Sequence, residues 1–269
     1  MSNTHKPEIQ NIKVDGYNIV SYSYGKGEHV LFLLNGGPGL PCDYLRDPHI
    51  HLVEEGYRIV AFDQLGCGNS DRPEDVSLWN ITRYVEEVET VRKELGIVNF
   101  HLLGQSWGGW LSIEYALTYP DEIRSLILAN TCGDLQHLTT ELNRMREALG
   151  SETVAMMLHH EAMGTIDHPE YQAAITILNY RHVCRLKEWP SSLLASVDDW
   201  NMGPYGTMQG PNEFLYIGNL EHSSTTSALT SLSIFELSFG FSERPFIVLV
   251  IRSPTLLNSS AANPLVVAA

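Results

Sequence analysis

The segment GQSWGG, residues 104–109, places Ser106 between Gly104 and Gly108 in a Gly-x-Ser-x-Gly pattern. This is the pattern of a nucleophile elbow, a sharp strand-to-helix turn that lifts a serine hydroxyl above a parallel sheet. A strand-like run before it and a helix-like run after it supply that context, although glycines around a serine also mark plain turns. We predict that Ser106 is the nucleophile of an acyl transfer, which needs a histidine base oriented by a carboxylate.

A second glycine-rich loop, NGGPG at 35–39, follows the first predicted buried strand. Acyl transfer needs N–H donors for the oxyanion, typically from the residue after the nucleophile and from an earlier glycine loop. The N–H of Trp107 fits the first role, and that of Gly36 or Gly37 fits the second. We assign the oxyanion to Trp107 and Gly37 and place Gly36 among the substrate-binding residues. A plain strand-to-helix connection is the alternative.

A third loop, DQLGCGNSDRP at 63–73, also bears glycines. Its Gly66-x-Gly68 pair lacks the third glycine of a dinucleotide-binding loop, and no clear helix follows it. We interpret it as a loop that shapes the site beside the elbow.

Buried apolar runs alternate with helix-like segments in the first half of the chain, which predicts an α/β fold with a mostly parallel sheet. An Asp15-Gly16 pair predicts a hairpin over 11–24. Strands are predicted at 29–34, 57–62, 99–104 and 124–130, and helices at 79–95 and 109–120. From 135 to 200 the pattern is mostly helical. We divide the chain into a core, an inserted helical cap and a divergent C-terminal tail, at 1–133, 134–215 and 216–269.

The three loops together resemble the proline iminopeptidase family of serine aminopeptidases, which has the α/β-hydrolase fold. The family pattern is HGGPG, then DQ-x-G-x-G-x-S, then GQSWGG, then a helical cap. The segment MQGPNEF at 208–214 is also similar to the family's cap-to-core junction. Four motifs in order make the resemblance specific, and it covers roughly residues 5–220.

The resemblance implies release of an N-terminal residue, often proline, from small peptides through an acyl-enzyme on Ser106. It also implies that Glu213, in the GPNEF motif, binds the free amino group of the substrate. A carboxylate in a partly enclosed pocket pairs well with an ammonium group, although an ordinary solvated glutamate is the alternative. No metal and no organic cofactor is implied, because serine hydrolysis needs neither.

Asn35 is the first departure from the family pattern, because the family has histidine there. We expect changed hydrogen bonding within the loop and unchanged oxyanion donors, since those are backbone groups.

The second departure concerns the acid and the base, which in this fold follow the serine in the order acid, then histidine. The last aspartate is Asp199 and the last histidine is His222, so both expected late residues are missing. His222 is the candidate base, and Glu236 or Glu243 is the candidate substitute for the acid. His222 precedes both glutamates, which reverses the usual order of acid and then histidine. The cap histidines are interpreted as surface or packing residues: His159, His160, His168 and His182.

The last 49 residues carry only 5 charged side chains, which marks a change of composition at residue 221. We interpret this tail as an altered reading frame, with a splicing product or a divergent tail as alternatives. Strand-like material is predicted at 245–251, and loss of the usual late strands would expose a sheet edge. A carboxylic ester hydrolase of the same fold and a catalytically inactive binding protein stay open as alternative functions.

A net charge of −15 argues against nucleic acid or an anionic membrane as partner. The four cysteines are far apart, which argues against a disulfide framework or a metal site. We see no signal peptide and no apolar run long enough to span a bilayer. We therefore expect a reduced, soluble, cytoplasmic protein; the oligomeric state is not predicted.

Overall fold

The computed structural model describes residues 6–133, 135–222 and 248–252. Within these residues seven strands form one sheet in the spatial order β1-β2-β4-β3-β5-β6-β7. The strands are β1 Glu8–Val14, β2 Tyr17–Tyr24, β3 His29–Leu34, β4 Tyr57–Asp63, β5 Phe100–Gln105, β6 Ile123–Ala129 and β7 Val248–Arg252. Of these seven, only β2 and β7 run against the common direction. The predicted α/β fold with a mostly parallel sheet is confirmed.

Helices follow most of the strands, as the alternating pattern predicts. The described α-helices are α1 Asp43–His49, α2 Ile81–Glu94, α3 Trp107–Thr118, α4 Leu135–Glu147, α5 Ser151–Met163, α6 Pro169–Leu178, α7 Ser191–Asp198 and α8 Met202–Met208. Shorter turns of 3-10 helix cover Ile50–Glu55, Val76–Leu78 and Asn219–His222, and a π-helical turn covers Asn179–Val183.

The sheet is buried on both faces. Phe32 and Leu34 of β3 pack in the core formed with α2 and α3, whereas Leu31 and Leu33 pack on the opposite side, against α1 and the 3-10 turn that follows it. Alternate residues of a strand point to opposite faces, so an unbroken apolar run is what a strand covered on both sides requires.

The predicted hairpin is confirmed, although β1 begins three residues before the predicted start at residue 11. The ends of β3, β4, β5 and β6 differ by at most one residue from the pattern. The turn residues Asp15 and Gly16 both have positive φ, 51° and 90°, as a two-residue hairpin turn needs. Helix α2 begins after Asn80, whose side chain accepts a hydrogen bond from the N–H of Arg83. Helices α1 and α8 were not predicted, because prolines and glycines interrupt their short apolar patterns.

The strand β7 lies antiparallel beside β6, with Leu126 opposite Ile251. The predicted strand-like material is therefore confirmed over 248–252. The strand β7 supplies partners for the backbone groups of β6 on that side and is itself the last strand of the described sheet, so the expected exposed sheet edge stays a prediction. Glu236 and Glu243 lie outside the described residues, so their proposed role as acid stays a prediction.

Helices α4 to α8 lie in sequence between β6 and the tail, and part of this region has a small core of its own. That core contains Met157, Tyr171, Leu178 and Phe214. The predicted limits of core, cap and tail stay a prediction. Within the described residues, no helix is both long enough and apolar enough to cross a membrane.

The close contact between Gly108 of α3 and strand β3 leaves no room for a side chain at Gly108. A Cβ there would overlap the carbonyl oxygen of Leu34 in β3, so Gly108→Ala forces α3 away from the sheet. We expect a loss of about 1–3 kcal/mol in the free energy of unfolding, measured by urea denaturation. Gly206→Ala in α8 is the control, because nothing lies within 4 Å of its Cβ position. Equal stability of Gly108→Ala and the unmodified chain would contradict this packing.

Candidate active site

Ser106 occupies a strained turn between β5 and α3, with φ 54° and ψ −121°. A Cβ at Gly104 would overlap the carbonyl oxygen of Gly108, so glycine is required there as well as at Gly108. The turn is held by the N–H of Ser106, which donates to the Ala129 carbonyl at 3.0 Å. The Thr131 hydroxyl also donates to the Ser106 carbonyl at 2.8 Å. The geometry is that of a nucleophile elbow; the catalytic role of Ser106 stays a prediction.

The two predicted oxyanion donors lie on either side of this turn. Trp107 is the first residue of α3, so its N–H has no acceptor within the helix. Gly37 has φ 52° and lines the same cavity as Ser106. The N–H of Gly36 is already used, because it donates to the Tyr44 hydroxyl at 2.5 Å. Of the two glycine donors considered from the sequence, Gly37 is therefore the one left for an oxyanion.

Gln64 connects the three glycine-bearing loops. Its side-chain oxygen accepts from the indole N–H of Trp107 at 2.9 Å, and its amide nitrogen donates to the Asn35 carbonyl at 3.3 Å. Asn35 is buried, and its own amide donates to the Leu40 carbonyl at 2.6 Å. The side chain of Asn35 therefore forms a hydrogen bond within its own loop, and the expectation that the oxyanion donors are unchanged stays a prediction.

Asp63 organises the third loop. Its buried carboxylate accepts hydrogen bonds from the Tyr22 hydroxyl at 2.9 Å, the Cys42 N–H at 3.1 Å and the Asn69 N–H at 2.9 Å. A Cβ at Gly68 would overlap that carboxylate. These contacts support the interpretation of 63–73 as a shaping loop.

A cavity of about 990 Å³ opens beside the elbow. Ser106, Gly36 and Gly37 line one part of it, and Glu213 lines another part. Much of the remaining wall comes from apolar and aromatic side chains of the region after β6, among them Ile175, Val183, Leu186, Trp189, Val197 and Trp200. The volume lies at the upper end of the range for small-molecule sites.

Glu213 is held by two donors. The Tyr205 hydroxyl donates to one carboxylate oxygen at 2.8 Å, and the Gln209 amide donates to the other at 3.2 Å. Burial raises the pKa of Glu213, and the two hydrogen bonds oppose that rise. A carboxylate removed from water and facing a cavity gains from a cationic ligand group. The geometry therefore fits an ammonium site, and the predicted role of Glu213 stays a prediction.

None of the described residues that line the cavity is a histidine or an aspartate. His159 and His182 are exposed on the cap, and neither lines the cavity. The ring of His160 faces the Thr165 hydroxyl at 2.8 Å. The backbone of His222 ends a 3-10 turn, but its side chain lies outside what the structure describes. Its candidacy as the base therefore stays a prediction.

One group of cap residues has the composition of a metal site. His160, His168 and Glu170 each offer an atom, and these atoms lie within 4.8 Å of one another. The two imidazole rings are stacked, 4.5 Å apart and 18° from parallel. Lone pairs lie in the ring plane, so nearly parallel rings do not point at one ion. The arrangement fits ring stacking better than metal binding.

Several residues that shape the site carry no signal in the sequence pattern. Tyr44 accepts the Gly36 N–H and donates to the Gln105 side chain at 2.5 Å. Tyr205 orients Glu213 from a helix that was not predicted, and its ring lies 4.5 Å from the ring of Trp200. Neither tyrosine belongs to a motif, so only the folded chain brings them to the cavity.

The sheet, the elbow and the glycine loop beside it define the class of protein as an α/β hydrolase. The α/β hydrolase fold family matches residues 29–157. The proline iminopeptidase of Elizabethkingia meningoseptica is 36% identical over 205 residues, which cover 74% of this chain and 68% of that protein. The proline iminopeptidase of Flavobacterium johnsoniae is 34% identical and covers 78% and 72% in the same order.

A solved structure leads to the same family. The crystal structure of the proline iminopeptidase of Mycobacterium smegmatis has a TM-score of 0.74 and 32% identity, over 84% of this chain and 79% of that one. The chain therefore belongs to the proline iminopeptidase family of serine aminopeptidases, as the motifs indicated.

The raised pKa of Glu213 predicts how ligand binding depends on pH. The pKa of Glu213 lies above the ordinary value of a glutamate because the carboxyl group is buried. Affinity for a prolyl ligand should be highest above this raised pKa, where Glu213 is ionised. It should fall as the pH drops through the pKa, because protonation removes the negative charge. Titration calorimetry from about pH 7 down to about pH 4 measures this, because an α-amino group stays protonated throughout.

Glu213→Gln is the control for that titration. Its affinity should be lower by roughly 10- to 100-fold near pH 7, the value of a hydrogen bond to a charged group, and should not change with pH over the same range. A profile shared by both proteins would show that another group titrates.

Proposed function

We propose that this chain is a serine hydrolase that binds peptides by their free N-terminal amino group and attacks the first carbonyl with Ser106, with proline favoured. The observation that carries this proposal is that Ser106 and Glu213 line one cavity. In the proposed binding mode, the amine at Glu213 and the carbonyl at Ser106 belong to the same N-terminal residue, which is the selectivity of an aminopeptidase.

In the proposed reaction the Ser106 Oγ bonds to the carbonyl carbon, and the amide C–N bond then breaks. The N–H groups of Trp107 and Gly37 stabilise the oxyanion that forms between these steps. The shortened peptide leaves as an amine, and the proton that Ser106 gives up ends on its nitrogen. Water then hydrolyses the acyl-enzyme, which releases the N-terminal residue and restores the serine hydroxyl.

Proline preference is supported by the names of the relatives and by the aromatic groups near the elbow. The ring of Trp200 lies against Gly37, because a Cβ at that glycine would come within 2.9 Å of it. Tyr205 packs edge-on against the same indole. A pyrrolidine ring beside Glu213 would pack on these aromatic surfaces.

We further propose that the 269-residue chain turns over slowly. A base must take the Ser106 proton and return it to the leaving amine, and the described cavity wall offers no histidine for this step. An oxyanion hole and substrate binding without a complete triad retain about 10³–10⁴-fold acceleration over water. The absence of a histidine from that wall also favours the second candidate, a peptide-binding protein without catalytic activity.

The cytoplasm is the proposed compartment. Within the described residues no disulfide joins the four cysteines, which suits a reducing environment.

Hydrolysis of a prolyl chromogenic amide by the purified chain tests this function against Ser106→Ala. We expect a rate below the ordinary range of about 1–1000 per second but above that of Ser106→Ala, because only the serine forms the acyl-enzyme. Equal rates in the two proteins would contradict catalysis by Ser106. An ordinary rate that disappears in the variant would contradict the slow turnover.

Replacement of Glu213 separates a peptidase from an ester hydrolase. We expect Glu213→Gln to reduce cleavage of a prolyl amide by roughly tenfold or more, and to leave a simple acetate ester unaffected because that ester has no amine. Equal losses on both substrates would favour the ester hydrolase alternative and a structural role for the glutamate.

A further inference from the structure

A cationic segment lies at the wall of the cavity in an otherwise acidic protein. The chain has a net charge of −15, yet residues 171–187 contain no aspartate or glutamate and contain three cations. Two of those cations, Arg185 and Lys187, line the cavity together with Glu213. Among the described residues of the lining, these two are the only lysine or arginine residues and Glu213 is the only carboxylate.

The helix dipole explains the positions of only some of the basic residues in this segment. Arg181 and His182 lie in the π-helical turn that ends α6, where positive charge offsets the negative end of the helix dipole. Arg185 and Lys187 follow the end of that turn at Cys184, so the dipole does not account for them. Burial lowers the pKa of His182 most, and the positive charges of Arg181 and Arg185 lower it further.

The described wall of the cavity therefore has one negative group and two positive groups, and apolar side chains make up much of the rest. Val183, Leu186 and Trp189 are among those apolar side chains. A free peptide has charges that complement both: an ammonium group at one end and a carboxylate at the other. Phosphate or a nucleotide matches the cations but leaves Glu213 facing negative charge, which disfavours it.

We propose that Arg185 and Lys187 bind the C-terminal carboxylate of a short peptide whose amino group pairs with Glu213. The preferred substrates are then short peptides with both ends free, and amidated peptides or long polypeptides bind less well. This inference rests on the proposed function, because it assumes that the amino group lies at Glu213. Arginine and lysine form charge-assisted hydrogen bonds with carboxylates, and Arg185 and Lys187 are both exposed.

Binding of prolyl-glycyl-glycine and of its C-terminal amide to the full-length Ser106→Ala protein tests this inference by titration calorimetry. The serine variant prevents hydrolysis during the measurement. We expect the free acid to bind about tenfold tighter than the amide, which is about 1.4 kcal/mol. The difference should shrink as salt is added, because exposed charges are screened.

Matched variants test whether Arg185 and Lys187 cause the difference in affinity between the free acid and the amide. In the Ser106→Ala background, Arg185→Gln with Lys187→Gln should weaken the free acid to the affinity of the amide and leave the amide unchanged. Arg181→Gln is the control, because Arg181 lies in the same segment and does not line the cavity; it should preserve the tenfold difference.

Two outcomes overturn the inference in distinguishable ways. Equal affinity of the acid and the amide, with binding still dependent on Glu213, overturns the carboxylate site alone and leaves the proposed function standing. Failure of both peptides to bind, or binding that Glu213→Gln does not weaken, overturns the proposed function and this inference together.

Discussion

The site depends on one strained residue. Ser106 keeps a positive φ that a residue with a side chain rarely adopts, and such a conformation costs about 1–3 kcal/mol. It persists because Gly104 and Gly108 let α3, β5 and the end of β3 approach more closely than any Cβ allows. The same approach brings the NGGPG loop against the elbow, so one packing constraint both exposes the serine and places backbone donors beside it.

The second half of the site comes from a distant part of the chain. Glu213 lies after the cap helices, and Tyr205 and Gln209 hold its carboxylate in a buried position. Trp200 contacts the glycine loop by donating its indole N–H to the Pro38 carbonyl at 3.2 Å, and Asn201 donates to the Gly66 carbonyl at 2.8 Å. These bonds connect the segment between α7 and α8 to two of the three motif loops. The fold therefore determines how Ser106 and Glu213 lie relative to each other.

The sequence predicts best what depends on short-range pattern. The hairpin at Asp15 and Gly16, the buried strands and the elbow follow from local geometry, and the structure agrees. Helix α1 was missed because Pro48 interrupts it, and Tyr44 within it reaches the site only through tertiary packing. The pairing of β7 with β6 depends on which edge is open, which local pattern does not encode. The limits of the cap stay a prediction, and so does the role of His222, whose side chain lies outside the described residues.

The central proposal is that Ser106 is a nucleophile and Glu213 an amine site in a cavity whose described wall has no histidine to serve as base. Incubation with the p-nitrophenyl ester of proline, followed by intact mass spectrometry and peptide mapping, tests it most directly. The activated leaving group needs no proton and the Ser106 proton passes to water, so Ser106 should become acylated slowly. The adduct should persist because the described cavity wall has no histidine to assist the attack of water. Absence of an adduct on Ser106, or rapid steady turnover without accumulation, would contradict the claim.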